Sequence, residues 1–374
     1  MAMDTTSTPG ALEPGAAAPV ERPRSTLDAI RPLLADSVAG GIPPQTTEQR
    51  LARERAYNLF SAAIGACTAR GLRDRAAELL AREARSAFLT PAEIEKVNEE
   101  LAATLAELRA TPAPSPTGVT PESPNPLTDE VAADLFDLAL RGRLTGPARE
   151  HPRALLFGGQ PGSGKSTLQR LLLPALPEGT VSYDGDDLLR TSPDYEWAMG
   201  LDDRTASRTV ARQVGVLHGL AMEHIRAGRV DVLCSHPLGR ADWAAEWVGG
   251  FRAAEYRVEV AFVAVHASNS RFSLMDRHRR SREDQGFGRW LPETLHDRFY
   301  QGVPNTIEFL ETHRLVDSLY VLSRDGEVLY ANHLGPDGDW RSEPFGRIAL
   351  EAERGRRELW HGEDAIVTPP HGAP

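Results

Sequence analysis

The sequence predicts an α/β chain, a parallel sheet flanked by helices, preceded by a small all-α helical module. Three observations predict it. A glycine-rich stretch, Gly159 to Ser166, lies between an apolar strand and a helical run. Short apolar strands then alternate with helical stretches to about residue 330, the pattern of a parallel sheet covered on both faces. Upstream, three amphipathic segments end at a proline-dense run, residues 111–126, too rich in proline to pack.

Residues 1–25 form an Ala-, Pro- and Thr-rich lead, expected to be disordered. The lead has no basic segment followed by an apolar one, so it does not read as an export signal. Residues 26–110 are expected to fold as a helical bundle. The first helix covers about 46–70, with Ala56, Phe60, Ile64 and Cys67 on one face. The second covers about 73–88, with Ala76, Leu80, Ala84 and Ala87. The third opens at Thr90, with Pro91 in the first helical position and Glu93 completing a capping box. Its apolar residues Ile94, Val97, Leu101, Leu105 and Leu108 keep helical spacing. Residues 111–126 are a linker, so the bundle and the unit beyond the linker are expected to fold separately.

The second unit is expected over 127–345. A helix capped by Thr128 runs to about 143, and Ala154-Leu155-Leu156-Phe157-Gly158 is a buried strand leading into a helix from Ser163 to about 173. Val181-Ser182-Tyr183 is a second strand, 204–227 one long helix, Val230–Cys234 a third strand, 241–254 a helix and 257–265 a fourth strand. A basic stretch, 276–289, leads into a helix from Pro292. Leu319–Leu322 and Val328–Tyr330 are strands joined by a hairpin-like turn, Arg324-Asp325-Gly326. Residues 346–374 read as a C-terminal helix and loose tail.

Composition excludes several classes. A net charge of −11 argues against a general nucleic-acid binder. Two cysteines, Cys67 and Cys234, make neither a disulfide framework nor a zinc cluster, and a reducing cytoplasm fits. No apolar run reaches the roughly 18 residues of a membrane span.

Gly159-Gln160-Pro161-Gly162-Ser163-Gly164-Lys165-Ser166 matches G-x-x-x-x-G-K-[ST] in the strand-to-helix setting that such a phosphate loop requires. Its glycines let backbone N–H groups turn toward phosphate, and the helix N-terminus adds its dipole. Lys165 would reach the β- and γ-phosphates and Ser166 would hold Mg²⁺, with Thr167 beside it. Of 42 Lys and Arg residues only Lys96 and Lys165 are lysine. One of the two thus falls where a compact ammonium does what a guanidinium fork cannot. A nucleotide with Mg²⁺ is the expected ligand.

Asp184-Gly185-Asp186-Asp187 follows the second strand, at the carboxyl edge where α/β sheets carry their sites. A carboxylate there can act as general base in phosphoryl transfer, or simply cap the next helix. Arg277, Arg279, Arg280, Arg282 and Arg289 could clamp a transferring phosphoryl group or form a solvated face; the local sequence does not choose among them. His236 and His266 each follow a strand end and could line the cleft or be satisfied by backbone.

Taken in order, these blocks resemble the zeta toxin family, P-loop kinases of bacterial toxin–antitoxin systems. The resemblance spans about 127–335. It rests on the entry helix and Leu156-Phe157-Gly158-Gly159-Gln160-Pro161-Gly162-Ser163-Gly164-Lys165-Ser166, then on Asp184-Gly185-Asp186 with Pro193-Asp194-Tyr195, where Ser192 stands in place of the family's usual His. It continues through Arg289-Trp290-Leu291-Pro292, His296-Asp297 and Pro304-Asn305 to Arg324-Asp325-Gly326 with Leu329-Tyr330.

Zeta toxins phosphorylate a sugar hydroxyl of UDP-N-acetylglucosamine. The resemblance therefore implies Asp186 as base, Lys165 and Ser166 on ATP·Mg²⁺, and Arg277 and Arg289 on the phosphates; Asp184, Ser235 and His236 are the residues expected to meet the acceptor. One departure stands out: Ser235 occupies the position of the family's substrate-binding Glu, so the acceptor can differ, since unpaired polar groups strongly change selectivity. A kinase for another nucleotide, such as a nicotinamide nucleotide, and an ATP-binding regulator or NTPase with no transferable substrate are the alternatives. A nucleic-acid kinase would want a continuous basic groove. Partners implied are the small-molecule acceptor and an antitoxin, supplied by another protein or in cis by the helical module at 26–110. No membrane or nucleic-acid partner is expected.

Overall fold

The structure, a computed structural model, describes residues 47–86, 89–111 and 127–356. The expected lead, most of the proline-rich linker and the tail beyond 356 lie outside the described residues.

Three helices come first: α1 (Thr47–Ala69), α2 (Arg73–Ser86) and α3 (Pro91–Ala110). The capping box forms as the sequence dictates: Thr90 Oγ1 accepts from Glu93 N and the Glu93 carboxylate accepts from Thr90 N. Leu59, Phe60, Ala63, Ile64 and Cys67 of α1 pack against Leu101, Leu105 and Leu108 of α3. In α2 the buried residues are Ala76 and Leu79, while Ala84 is exposed. The expected single stripe fails because α2 serves two surfaces. Leu79 is buried in the cluster with α1 and α3, whereas Leu80 packs against both that cluster and the core of the second unit.

That unit begins with α4 (Asp129–Phe136), capped by Thr128 and prolonged by a π turn and a 3₁₀ turn to Leu144. Then come β1 (Arg153–Gly158), α5 (Lys165–Leu172), β2 (Val181–Asp184), α6 (Gly185–Thr191), α7 (Tyr195–Leu201), α8 (Ala206–Thr209) and α9 (Ala211–Gly228). The chain continues through β3 (Val232–Ser235), α10 (Ala241–Ala253), β4 (Arg257–Val263), α11 (Ala267–Gln285), α12 (Glu293–Thr312), β5 (Ser318–Leu322), β6 (Val328–His333) and α13 (Gly346–Arg354). The long helix expected over 204–227 is divided. Fully buried Val210 (φ −99°, ψ 9°) interrupts it, seated in a cluster with Leu189 and Met199.

The six strands lie in the order β2-β3-β1-β4-β5-β6; β1 to β5 pair in parallel and β6 runs antiparallel to β5. Alternate β1 side chains serve opposite faces. Leu155 and Phe157 pack with Leu168, Leu172 and Tyr320, while Ala154 and Leu156 pack with Val260, Phe262 and Trp247. Burial on both faces is what makes β1 read as a continuous apolar run. The carboxyl ends of β1, β2 and β3 lie side by side, so the loops after them share one edge. The C-terminal helix α13 belongs to this body: Leu350 is buried, and Gly346 N donates to the Glu311 carboxylate.

Candidate active site

The glycine-rich loop wraps from the end of β1 to the first turn of α5. Gly159, Gly162 and Gly164 all have positive φ, 140°, 80° and 99°. At Gly162 space reinforces conformation, because a Cβ there would lie 2.2 Å from Ser270 O on α11. Lys165 is buried, and its Nζ donates to Gly159 O (2.8 Å) and Gln160 O (3.0 Å). Burial lowers its pKa to about 8, with Asp184 and Asp186 opposing the shift. Ser166 Oγ donates to Asp184 Oδ2 at 2.6 Å, and Thr167 is exposed beside it.

The three acids after β2 divide into three environments. Asp184 caps α6, accepting from Asp186 N (3.0 Å), so the capping alternative is real for this residue. Burial, reinforced by the charges of Asp186 and Asp187, raises its pKa to about 6. Burial works the same way on Asp186, but Arg289 and Arg277 outweigh it and hold that carboxyl at about 2. Arg289 Nη1 donates to Asp186 Oδ1, and Arg277 Nη1 lies 3.5 Å from Asp186 Oδ2. Asp187 turns away from the cleft to pair with Arg190 and with Arg143, 3.0 Å.

Geometry also sorts the five arginines. Arg279 pairs with Asp276 and Glu283, Arg280 with Asp276 and Glu54, and Arg282 with Asp203. Arg277 and Arg289 alone of the five meet Asp186. Most of the basic stretch is α11; Gly286 ends it in a left-handed turn, and Gly288 N bonds Asp203 Oδ2, which fixes the strand of chain carrying Arg289.

Ser235 and His236 stand at the end of β3. Ser235 is buried, and neither its Oγ nor His236 Nδ1 has a hydrogen-bond partner. The imidazole packs edge-on against Trp243 (4.2 Å between centroids) and beside Trp247 (4.5 Å). Burial pushes its pKa down to about 3, so the ring is neutral. His218, also lowered by burial to about 4, stacks on Trp247 and meets Tyr183 Oη at 2.5 Å. His266, the other strand-end histidine, instead caps α11, accepting from Ser268 N.

Several residues near the site carried no signal in the sequence. Gln169 donates to Ser182 Oγ, Tyr183 O and Leu233 O, tying α5 to β2 and β3. Arg324, read in the sequence as part of a turn and of the last block of the resemblance, places its Cγ 3.8 Å from where a Cβ on Gly164 would sit. Tyr57 of α1 has its ring against the guanidinium groups of Arg170 (5.0 Å) and Arg190 (5.3 Å).

Tyr57 belongs to a broad contact. The N-terminal helices dock on α6, α7 and α11, the elements carrying Asp186, Tyr195 and Arg277. Glu83 pairs with Arg190 (3.0 Å), Arg70 with Glu196 (2.5 Å), Glu54 with Arg280 (2.8 Å) and Arg55 with Asp284 (3.3 Å).

A phosphate loop after β1, an acidic turn after β2 and two arginines converging on one acid define a protein of the P-loop kinase-like class. Sequence comparison narrows the class. The zeta toxin family model matches residues 139–334, just over half of the chain, and the chain belongs to that family. It is 23% identical over 186 residues to Toxin zeta of Streptococcus agalactiae and 22% identical over 186 residues to that of Streptococcus pyogenes. Each match covers 50% of this chain and 65% of the relative. In fold it resembles a chain of the PezAT chromosomal toxin–antitoxin system of Streptococcus pneumoniae, at 18% identity and a TM-score of 0.52. That match covers 60% of this chain and 87% of the other. Among the described residues no helix is long and apolar enough to cross a membrane.

Proposed function

We propose that this chain is an ATP-dependent kinase that phosphorylates a hydroxyl of a nucleotide sugar or a related nucleotide. The observation that carries the reading is the placement of Asp186 between Arg277 and Arg289, across from Lys165 and the Ser166–Asp184 pair. Lys165 and the loop N–H groups bind the nucleotide phosphates. The donor set fits Mg²⁺: the Ser166 hydroxyl and the Asp184 carboxylate, 2.6 Å apart, are hard oxygen donors that would hold it. Held there, Mg²⁺ would supply neutralisation of charge on the transferring phosphoryl group.

Asp186 orients the acceptor hydroxyl and takes its proton as the acceptor oxygen bonds to the γ-phosphorus. The bond from that phosphorus to the bridging oxygen breaks, and ADP leaves. In the resting site Asp186 is a weak base because two guanidinium groups neutralise it. Phosphate oxygens compete for those groups, which raises the basicity of Asp186 when both substrates are present. Arg277 and Arg289 then meet the charge that spreads over the phosphoryl oxygens.

Ser235 and His236 offer the acceptor neutral polar atoms rather than a carboxylate. This favours an acceptor other than UDP-N-acetylglucosamine. The test is a labelled-phosphate screen with nucleotide sugars, nicotinamide nucleotides and small alcohols. A labelled acceptor supports the kinase reading; label recovered only as free phosphate overturns it in favour of an NTPase or regulator.

The contacts of α1, α2 and α3 favour a second element of the reading, in which these helices act in cis as an antitoxin-like cover. They meet the acid- and arginine-bearing helices rather than the phosphate loop, so they would control acceptor entry. Reversing two contacts in the full chain, Glu54→Arg with Glu196→Arg, should increase growth inhibition on expression. Growth inhibition no greater than wild type would overturn cis control, leaving an antitoxin protein in trans.

A further inference from the structure

The motif residue Gln160 is completely buried. Its amide Nε2 donates to Val265 O (2.7 Å), just past β4, and to Ser270 Oγ (3.3 Å) on α11. Its amide oxygen accepts from Arg354 Nη2 at 2.8 Å. Arg354 stands 194 residues away, at the last position of α13. Its other terminal nitrogen donates to Tyr300 O (2.9 Å), and the guanidinium carbon lies over the Tyr300 ring, 4.0 Å from its centroid.

We propose that Arg354 is a positioning residue for the nucleotide site, holding the phosphate loop in its binding shape through the side chain of Gln160. The residue lies outside 139–334, the segment that the family shares with this chain. The inference rests on the kinase reading, and specifically on nucleotide binding at the loop.

Three features connect the latch to the chemistry. The Gln160 carbonyl oxygen accepts from Lys165 Nζ (3.0 Å) and from Ser163 N (3.2 Å), so this residue sets where the phosphate-binding lysine starts and how the loop turns. Its side chain is anchored on three sides, and Arg354 provides the one charge-assisted bond among them. A cation 5% exposed, with no carboxylate hydrogen-bonded to it among the described residues, is costly to bury unless its geometry is useful. Here the planar fork spans two acceptors while lying over a ring, which a lysine cannot reproduce.

The test uses the full-length protein and a fluorescent ATP analogue with Mg²⁺, with thermal midpoints measured alongside. Arg354→Ala is expected to weaken analogue binding by about tenfold, because displacing a site by an ångström can cost up to about a hundredfold. Gln160→Leu should weaken binding similarly, and the double variant should be no worse than either single one. Tyr330→Phe is the control. It removes a bond to Glu311, which anchors the start of α13, without touching the loop. This variant should lower the midpoint and leave binding unchanged.

Native affinity in folded Arg354→Ala, or fully additive losses in the double variant, overturns the assignment. If the alanine variant does not fold, Arg354→Lys decides, and native affinity there overturns it equally. A wild-type protein that binds no analogue overturns the nucleotide reading itself, and the latch with it; a wild type that binds while the variants match it overturns the latch alone.

Discussion

Glu83→Ala tests whether the N-terminal helices brace the sheet edge that carries Asp186. Glu83 Oε1 lies 3.0 Å from Arg190 Nη1, and the two side chains are 13% and 4% exposed. Arg190 sits on α6, one turn beyond Asp186, and shares Asp187 with Arg143. At 3.0 Å the gross attraction is about 5–6 kcal/mol with an effective dielectric constant of 20. Most of that offsets the desolvation of two buried charges. Removing one partner of a buried pair typically costs about 3–5 kcal/mol, because the other charge stays buried. Arg190 keeps Asp187, so a loss of about 2 kcal/mol is expected. For a body of this size that lowers the thermal midpoint by about 4–8 °C. The exposed pair Arg75–Glu78, 38% and 52% exposed, supplies the comparison; Glu78→Ala should cost no more than about 0.5 kcal/mol. Calorimetry on both variants reads the difference. A Glu83→Ala midpoint within about a degree of the Glu78→Ala midpoint would refute the reasoning and show that Arg190 needs no counter-charge from α2.

Other expectations concern the chemistry. Asp186→Asn should lower turnover by about a thousandfold, within the usual range for a general base, while single-turnover titration finds nucleotide binding retained. Lys165→Ala should lose nucleotide binding itself. Gly162→Ala puts a methyl group 2.2 Å from Ser270 O at a φ of 80°, so isothermal titration should find no measurable nucleotide affinity, even if the fold survives. His236 has a folded pKa of about 3, well below its usual 6.5. As pH falls below about 6.5 the unfolded chain takes up a proton that the folded ring refuses, so stability is lost progressively toward pH 3. His218 acts in the same direction down to about pH 4, whereas Asp184, raised to about 6, opposes both between pH 6 and 4. Replacing His236 by Asn isolates its share: denaturant titrations should find the pH 7 to 5 loss smaller by about 1 kcal/mol, discounted for partial exposure of the ring.

The parts of the fold governed by local rules were legible in the sequence. Thr90, Pro91 and Glu93 dictate a helix start on their own, and Ala154–Gly158 followed by the glycine-rich loop dictates a strand, turn and helix. The turn Arg324-Asp325-Gly326 marked β6 as folding back on β5, but the order of the parallel strands was not legible, because nothing local says which of β2, β3 and β4 lies beside β1. The break at Val210 was not either: a helical pattern continues through it, and only burial against Leu189 and Met199 bends the chain. At the site, Lys165, Ser166 and Asp184 sit in motifs whose geometry is local. The sorting of Arg277 and Arg289 from their neighbours depends on which carboxylate each meets in space, which the basic stretch alone left open. Tyr57 and Arg354 touch site elements over separations of more than a hundred residues, and no short-range pattern marks such contacts.

The near-absence of lysine has an experimental consequence. The chain carries two side-chain amines, and the structure gives them opposite surroundings. Lys96 lies exposed on α3, whereas Lys165 is buried in the loop with a pKa near 8. An amine-directed reagent therefore finds an internal reference and a reporter in the same molecule. Modification at Lys96 calibrates the reaction, and modification at Lys165 reads how often the loop opens. Occupancy of the site could then be followed by mass spectrometry on the unaltered protein, before any acceptor has been identified.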